Sequence, residues 1–136
     1  MRPVLFVLAL MLALLPAAPA SAADTIRIDL NAIEPVQNRC LISFVVENKT
    51  PAAIDVLKLD LAVFDPEGII RRRLIVELGP LRRAKTMVKA FELDADCTQL
   101  GAILVNDVTQ CAPADAGTCL DETALTSRPR GVRFFK

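Results

Sequence analysis

The chain has 136 residues, and its 16 basic and 16 acidic side chains balance, so bulk attraction to nucleic acid or to anionic lipid is not expected. It contains no His, Trp or Tyr and therefore lacks the usual general base, the commonest metal ligand and the two best aromatic residues for stacking on a ligand. This composition predicts a protein that is not an enzyme and that holds no cofactor and no metal.

The first residues have the pattern of a secretory signal peptide. Arg2 precedes an apolar run from Val4 to Leu15, and small residues then follow as far as Ala23. A charged start, an apolar core and a small-residue cleavage site are the three parts of such a signal. The run of 12 residues is too short for a membrane-spanning helix. We predict that residues 1–23 are removed, after Ala22 or Ala23, and that the mature protein lies in a bacterial periplasm or outside the cell.

Alternation of apolar and polar residues predicts β-strands through most of the mature chain. The alternating runs are 40–48, 56–64, 70–78 and 85–93. The runs 25–33 and 102–108 are also predicted as strands, because they are rich in branched residues. Only 121–125 has the composition of a short helix. This pattern gives about six or seven strands, and helices do not alternate with them. Such a pattern is typical of an antiparallel sandwich of immunoglobulin-like size. We predict one such β-sandwich domain over residues 24–126.

Two details refine this strand pattern. The segment Asp65 to Gly68 has the composition of a tight turn, so we expect a hairpin between the strands on either side of it. Arg72 falls on the apolar side of the following run unless a bulge intervenes or an acid faces it. Lys89 is likewise a polar misfit on the apolar side of its own run.

All four cysteines lie in the predicted mature part, and an even count in an exported chain of this size predicts two structural disulfides. Joining Cys97 to Cys111 is excluded if the run between them is a strand, because ~3.3 Å per residue holds them beyond the ~7 Å limit. We favour Cys40 with Cys97 and Cys111 with Cys119, since 112–118 forms a natural closed loop. The crossed pairing, Cys40 with Cys111 and Cys97 with Cys119, stays open.

The last residues, 127–136, differ in composition from the rest. They carry four basic side chains and no acidic one, so we predict a basic tail that is poorly ordered.

Several short motifs stand in a consistent order along the mature chain. They are Leu30–Pro35, Cys40, Phe44, Glu47-Asn48, Phe64–Gly68, Cys97, Leu104–Val108 and Cys111. Over roughly residues 30–119 this order resembles a family of exported alphaproteobacterial proteins that has no assigned activity. A strand ending in Glu-Asn, followed by one ending in Phe-Asp-x-x-Gly, is also similar to bacterial immunoglobulin-like modules that assist envelope assembly. These resemblances imply an exported sandwich and supply no catalytic residue.

Two groups of residues are candidates for binding a partner. The first is basic and would form one positive surface if its two segments were neighbouring strands, although a solvated strand edge explains it equally well. The second lies in the tail and is suited to docking on a partner or an anionic membrane. The first group comprises Arg71, Arg73, Arg82 and Arg83, and the second comprises Arg130, Arg133, Phe134 and Phe135.

We therefore expect a monomeric, non-enzymatic interaction module that binds an unidentified envelope protein through a sheet edge or through its tail. Nucleic acid is not an expected partner, and membrane association is expected only through the tail. The alternative is a periplasmic protein that binds a small ligand or a metal in a pocket between strands. The polar clusters at strand ends, Glu47-Asn48 and Asn106-Asp107, are the residues that such a site would use.

Overall fold

The computed structural model describes residues 26–136, so the predicted signal peptide lies outside the described residues. The described chain is mostly β, with one short helix and one 3-10 turn at Cys97–Gln99. The strands are β1 (Ile26–Val36), β2 (Arg39–Asn48), β3 (Val56–Phe64), β4 (Ile70–Glu77), β5 (Thr86–Leu93), β6 (Ala102–Ala112), β7 (Thr123–Ser127) and β8 (Arg133–Phe135), and the helix is α1 (Ala116–Asp121). Each of the six predicted runs corresponds to one of β1 to β6.

The strands form two four-stranded sheets, in the orders β5-β2-β1-β7 and β4-β3-β6-β8. Neighbours are antiparallel except for β1 with β7 and β6 with β8, which are parallel. This arrangement corrects the prediction of six or seven antiparallel strands. The two additional strands have 5 and 3 residues, and runs that short carry too few positions to show an alternation of period two.

The inward faces of both sheets form one hydrophobic core. In β2 the alternate residues Cys40, Ile42, Phe44 and Val46 are all buried, because successive side chains of a strand point to opposite faces. Buried residues of the other sheet belong to the same cluster. The sheets therefore pack face to face.

The predicted turn and hairpin between β3 and β4 are confirmed. The amide of Gly68 donates to the carbonyl of Asp65 at 3.0 Å, and the Asp65 carboxylate accepts from the amides of Glu67 and Ile69 at 3.1 and 2.9 Å. Gly68 has a φ of +84°, a conformation that a residue without a Cβ adopts freely. A register shift lies between Val63 and Phe64, beyond Arg72, so Arg72 stays opposite the buried Val63 on the inward side. Its side chain is exposed and pairs with Asp94 at 3.3 Å.

The predicted helix at 121–125 is misplaced. Helix α1 ends at Asp121, and strand β7 begins at Thr123. Asp115 starts the helix, because its carboxylate accepts a hydrogen bond from the amide of Thr118 at 2.9 Å, as N-cap residues do. Residues from 123 onward pair with β1 instead, so a long-range contact overrides their local helical composition.

The basic tail is part of the domain, which corrects both the expected disorder and the boundary at residue 126. Val132 and Phe134 are each 7% exposed, and β8 pairs with β6. The Lys136 ammonium donates to the carbonyls of Leu120 and Thr123, both at 2.6 Å. Charge composition alone predicted a solvated segment, whereas its alternate apolar residues complete the core.

Two disulfides link Cys40 to Cys97 and Cys111 to Cys119, which is the pairing that the sequence favoured. The first joins β2 to the turn before β6, and the second joins β6 to α1. Disulfides persist in oxidising compartments, so both bonds are consistent with an exported protein. No helix among residues 26–136 has the length and apolar character needed to cross a membrane.

Candidate interaction surface

Strands β4 and β5 are the two long free edges of the fold. Each lies at the end of its sheet and pairs with one neighbour, and each has 8 residues. The opposite edges, β7 and β8, have only 5 and 3 residues. The part of β6 beyond β8 lies beside α1, which the bond from Cys111 to Cys119 attaches to it. Unpaired backbone groups along a long edge can pair with another chain, so β4 and β5 are the candidate interaction edges.

The backbone bonds show which residues of β5 point outward. The amide of Asn48 donates to the carbonyl of Lys85 at 3.0 Å, and these two residues continue the antiparallel register of β2 with β5. In such a ladder, residues that bond to the neighbour alternate with residues whose N–H and C=O groups point away. The backbone groups of Val88, Ala90 and Glu92 therefore face the free edge.

Strand β4 also has outward backbone groups along its free edge. The amide of Leu78 donates to the carbonyl of Leu57 at 2.8 Å, in continuation of the register of β3 with β4. Alternation then directs the backbone groups of Arg73, Ile75 and Glu77 to the free edge. Both edges thus offer outward donors and acceptors.

Large apolar side chains are exposed on these edges. Val88 of β5 is 68% exposed, and Ile75 of β4 is 58% exposed. Ile69 and Ile70, at the start of β4, are 55% and 54% exposed. A strand edge that carries exposed apolar residues is suited to contact with another protein.

Arg71 and Arg73 do not form a free positive surface, because each arginine of the run 71–73 pairs with an acid. The pairs are Arg71 with Asp65 at 2.6 Å, Arg72 with Asp94 at 3.3 Å, and Arg73 with Asp60. The carboxylates neutralise this part of β4. The solvated-edge interpretation of the run is therefore the better one.

The structure also separates this run from Arg82 and Arg83. Leu81 pairs with Ile54, just before the start of β3, whereas the turn that carries Asp65 follows the end of β3. A strand rises ~3.3 Å per residue, so the 9 residues of β3 hold the two basic segments roughly 30 Å apart. The two segments do not form one patch.

Arg82 instead lies in a groove beside β5. The groove has a volume of about 520 Å³. Its lining comprises Ala53, Asp55, Pro80, Leu81, Arg82, Lys85, Met87 and Lys89, and we call it the β5 groove. Among residues 26–136, the three cations of this lining form no ion pair. The lining therefore combines apolar residues with three cations and a single carboxylate, that of Asp55, and its net charge is positive.

Lys89 occupies an unusual place in this groove. It lies directly opposite Phe44 in the register of β2 with β5, and directly opposed residues share one face of a sheet. Because Phe44 is a core residue, Lys89 is on the inward face of an edge strand. Inward charges on edge strands disfavour pairing with an arbitrary neighbouring strand.

The buried carboxylates of the central strands have structural partners. Asp29 of β1 accepts hydrogen bonds from Asn31 at 2.9 Å, Thr126 at 2.6 Å and Arg128 at 2.7 Å. Burial acts to raise the pKa of Asp29, but these donors together outweigh it and hold the pKa below its ordinary value. The network fastens β7 and the following residues to β1.

Asp60 of β3 has an equivalent role on the other sheet. The hydrogen bond from Asn106, at 2.8 Å, is the main cause that lowers the pKa of Asp60, against the effect of burial, and Arg73 lowers it further. Asn106 is therefore used within the domain. Asn48, which is fully buried, likewise donates to the carbonyls of Ala52 at 3.0 Å and Arg82 at 3.2 Å.

The tail residues divide between core and surface. Phe134 is buried and cannot dock elsewhere while the domain is folded. Arg133 places its guanidinium carbon 4.7 Å from the ring centre of Phe135, and Arg130 is exposed. Of the four tail candidates, Arg130, Arg133 and Phe135 are thus accessible.

The fold and these edges define a class: a two-sheet β domain with two disulfides and long free edges on one strand of each sheet. Within residues 26–136, no group of three Cys, Asp or Glu side chains is placed to hold a metal ion. Comparison with family models, curated proteins and solved structures finds no match to this chain.

Proposed function

We propose that this protein is a non-enzymatic module of the bacterial cell envelope, a monomeric immunoglobulin-like sandwich that binds another envelope protein along a free sheet edge. The observation that carries the proposal is the pair of eight-residue edges, β4 and β5, with outward backbone groups and exposed apolar side chains. Strand addition to a sheet edge takes its affinity from main-chain hydrogen bonds and its specificity from alternate side chains.

The secretory pattern of residues 1–23 and the two disulfides support an envelope location. An edge is a better contact than the tail, because Phe134 is in the core and Lys136 is bonded to three backbone carbonyls. A small-ligand or metal-binding role has less support. The polar residues that would serve it, Asn48 and Asn106, donate within the domain.

Site-specific photo-crosslinking in a bacterial host that exports the protein tests this proposal. A crosslinking amino acid is placed at Val88 on β5 or at Ile75 on β4, and a control is placed at Arg27, an exposed residue of β1 that pairs with β2 on one side and β7 on the other. We expect one discrete adduct with an envelope protein from an edge position and none from Arg27. Equal labelling at all three positions, or no adduct from either edge, would contradict the proposal.

The same preparation tests export. The mature chain should begin at Ala23 or Asp24, and it should be lighter than its reduced form by four hydrogen atoms, as two disulfides require. A retained N-terminus or free thiols would contradict the proposed location.

A further inference from the structure

We propose that the β5 edge and the β5 groove together bind an acidic, extended segment of a partner protein, which adds to the sheet as a strand beside β5. The inference rests on the proposed function and deepens it by naming the edge and the chemistry of the partner. Its basis is the juxtaposition of outward backbone groups on β5 with a groove that is lined by apolar residues and by three cations without an ion pair among the described residues.

The backbone supplies the first part of the site. Val88, Ala90 and Glu92 direct their N–H and C=O groups outward, as the bond from Asn48 to Lys85 implies. An added strand pairs with these groups and continues the sheet beyond β5. At ~3.3 Å per residue, the 8 residues of β5 accommodate a segment of similar length.

The cations of the β5 groove favour an acidic segment. Arg82, Lys85 and Lys89 have no ion pair among the described residues, although cations nearby do: Arg39 pairs with Glu92 at 3.2 Å. Asp55 is the one carboxylate in the groove lining. An apolar strand would cover Lys89 without compensating its ammonium, whereas a carboxylate opposite it forms a charge-assisted contact in a partly dehydrated place. Complementary charge of this kind sets partner choice and register.

Strand β4 lacks cations that are free to pair with an acidic segment, and it serves as a comparison within the same protein. Its arginines are already paired with carboxylates of this chain, and Glu77 pairs with Lys58 at 3.8 Å. An acidic segment gains no new ion pair there unless it displaces an existing one. The acidic segment is therefore expected to bind at β5.

A second copy of this chain is a poorer occupant of the same edge. Pairing of β5 with β5 would bring the Lys85 and Lys89 side chains of both copies to one joint edge. Like charges that face each other across strands are destabilising. The proposed occupant of this edge is therefore an acidic segment of a different protein.

The test uses a fluorescent peptide of about ten residues in which Glu alternates with Val, long enough to span the edge at ~3.3 Å per residue. A matched peptide carries Lys in place of each Glu. Binding of both to the oxidised protein is measured by fluorescence anisotropy at low and physiological salt. We expect the acidic peptide to bind at least about tenfold more tightly than the basic one, with an affinity that falls as salt rises.

Proline variants locate the binding edge. Val88→Pro removes an outward amide of β5 without removing a bond to β2, and proline is tolerated in edge strands in this orientation. Ile75→Pro makes the matched change on β4. We expect Val88→Pro to abolish measurable binding and Ile75→Pro to leave it unchanged. Ala90→Pro, which removes a second outward amide, should repeat the effect if Val88→Pro lowers the thermal midpoint.

Charge variants test the second part of the site. Lys89→Glu should lower the affinity for the acidic peptide by about tenfold or more and raise the affinity for the basic peptide. Arg130 is an exposed cation in the tail, and Arg130→Glu should change neither affinity. Equal affinity for both peptides, or binding that survives Val88→Pro, would overturn this inference. If the protein formed a concentration-dependent dimer and Val88→Pro abolished that dimer, the occupant of the β5 edge would be a second copy of this chain, and this inference would be overturned. The crosslinking result at Val88 and Ile75 still decides the proposed function independently.

Discussion

The ring of Phe134 lies 5.2 Å from the ring of Phe44, measured between centroids and tilted by 42°. These residues belong to strands of different sheets, β8 and β2. The end of the chain therefore closes the core between the sheets. This contact and the pairing of β8 with β6 hold a segment with four basic residues in the folded domain.

Phe134→Ala should lower the free energy of unfolding by about 3 to 5 kcal/mol, the usual loss for a buried phenylalanine. Phe135→Ala is the matched control. Phe135 is half-buried beside Arg133, and its loss should cost about 1 kcal/mol. Urea unfolding of the oxidised proteins measures both values, and equal losses would contradict the placement of Phe134 in the core.

Removal of the two disulfides should have unequal effects. The bond from Cys40 to Cys97 closes a separation of 57 residues and that from Cys111 to Cys119 a separation of 8. Constraint of the unfolded chain then contributes about 4 kcal/mol for the first bond and about 2.5 kcal/mol for the second. Paired Cys→Ala variants of each bond, compared by urea unfolding, should follow this order. A larger loss for the shorter loop would contradict it.

The protein should lose stability in acid in a defined pH range. The folded-state pKa values of Asp29, Asp60 and Asp65 lie below their ordinary value of 3.8. A depressed carboxylate pKa stabilises the folded state above the unfolded-state value, and this stabilisation is lost as the pH falls through the folded-state value. Unfolding free energies should therefore be constant from neutral pH to about pH 5 and fall below about pH 4.

Asp29→Asn isolates one part of that dependence. It removes the negative charge and replaces one of the two oxygens that accept from three donors with an NH2 group, so stability at neutral pH should fall by about 1 to 3 kcal/mol. The fall below pH 4 should become shallower, because one depressed carboxylate is absent. Thr126→Val removes one donor and should give a smaller change in the same direction. If stability fell below pH 4 in Asp29→Asn as steeply as in the unaltered protein, Asp29 would not contribute to the acid dependence.

Gly101 is required by a close approach of two backbone segments. A Cβ at this position would lie 2.6 Å from the carbonyl carbon of Asp65 and 2.7 Å from the Cα of Pro66. Gly101→Ala must therefore push the turn after β3 away, at a cost of about 1 to 3 kcal/mol.

Gly117→Ala is the control for this prediction. Its nearest neighbour is a side-chain oxygen of Asp115 at 3.4 Å, and alanine is the better helix former by up to about 1 kcal/mol. We expect a lower thermal midpoint for the first variant and a higher one for the second. A fall of the same size in both would show that the close approach at Gly101 is not the cause.

Strands β2 to β5 were predictable because a two-residue period repeats along each of them, and β1 and β6 because they are rich in branched residues. In β2, the pattern of buried and half-buried residues follows the alternation of the sequence from Arg39 to Asn48. Strands β7 and β8 were missed because they are short and pair in parallel with distant segments. The local sequence of 121–125 favoured a helix that its tertiary partner, β1, prevents.

The interaction surface was only partly visible in the sequence. The run of Arg71 to Arg73 predicts a positive cluster, yet its acidic partners, such as Asp94, are distant in the chain. Lys89 was the better signal, since it interrupts the apolar side of its own run. Its significance depends on Arg82 and Lys85, which only the folded connection between β4 and β5 brings into one groove.

The sequence by itself determined the approximate positions of β1 to β6, the turn at Asp65 to Gly68 and the favoured pairing of the cysteines. These features depend on neighbours in the chain or on loop lengths, and their physical causes act locally. The tertiary structure decided which strands became free edges, which cations were neutralised and whether the tail was buried. Each of those outcomes depends on contacts between residues far apart in sequence, such as Phe44 with Phe134, because burial and ion pairing depend on three-dimensional proximity.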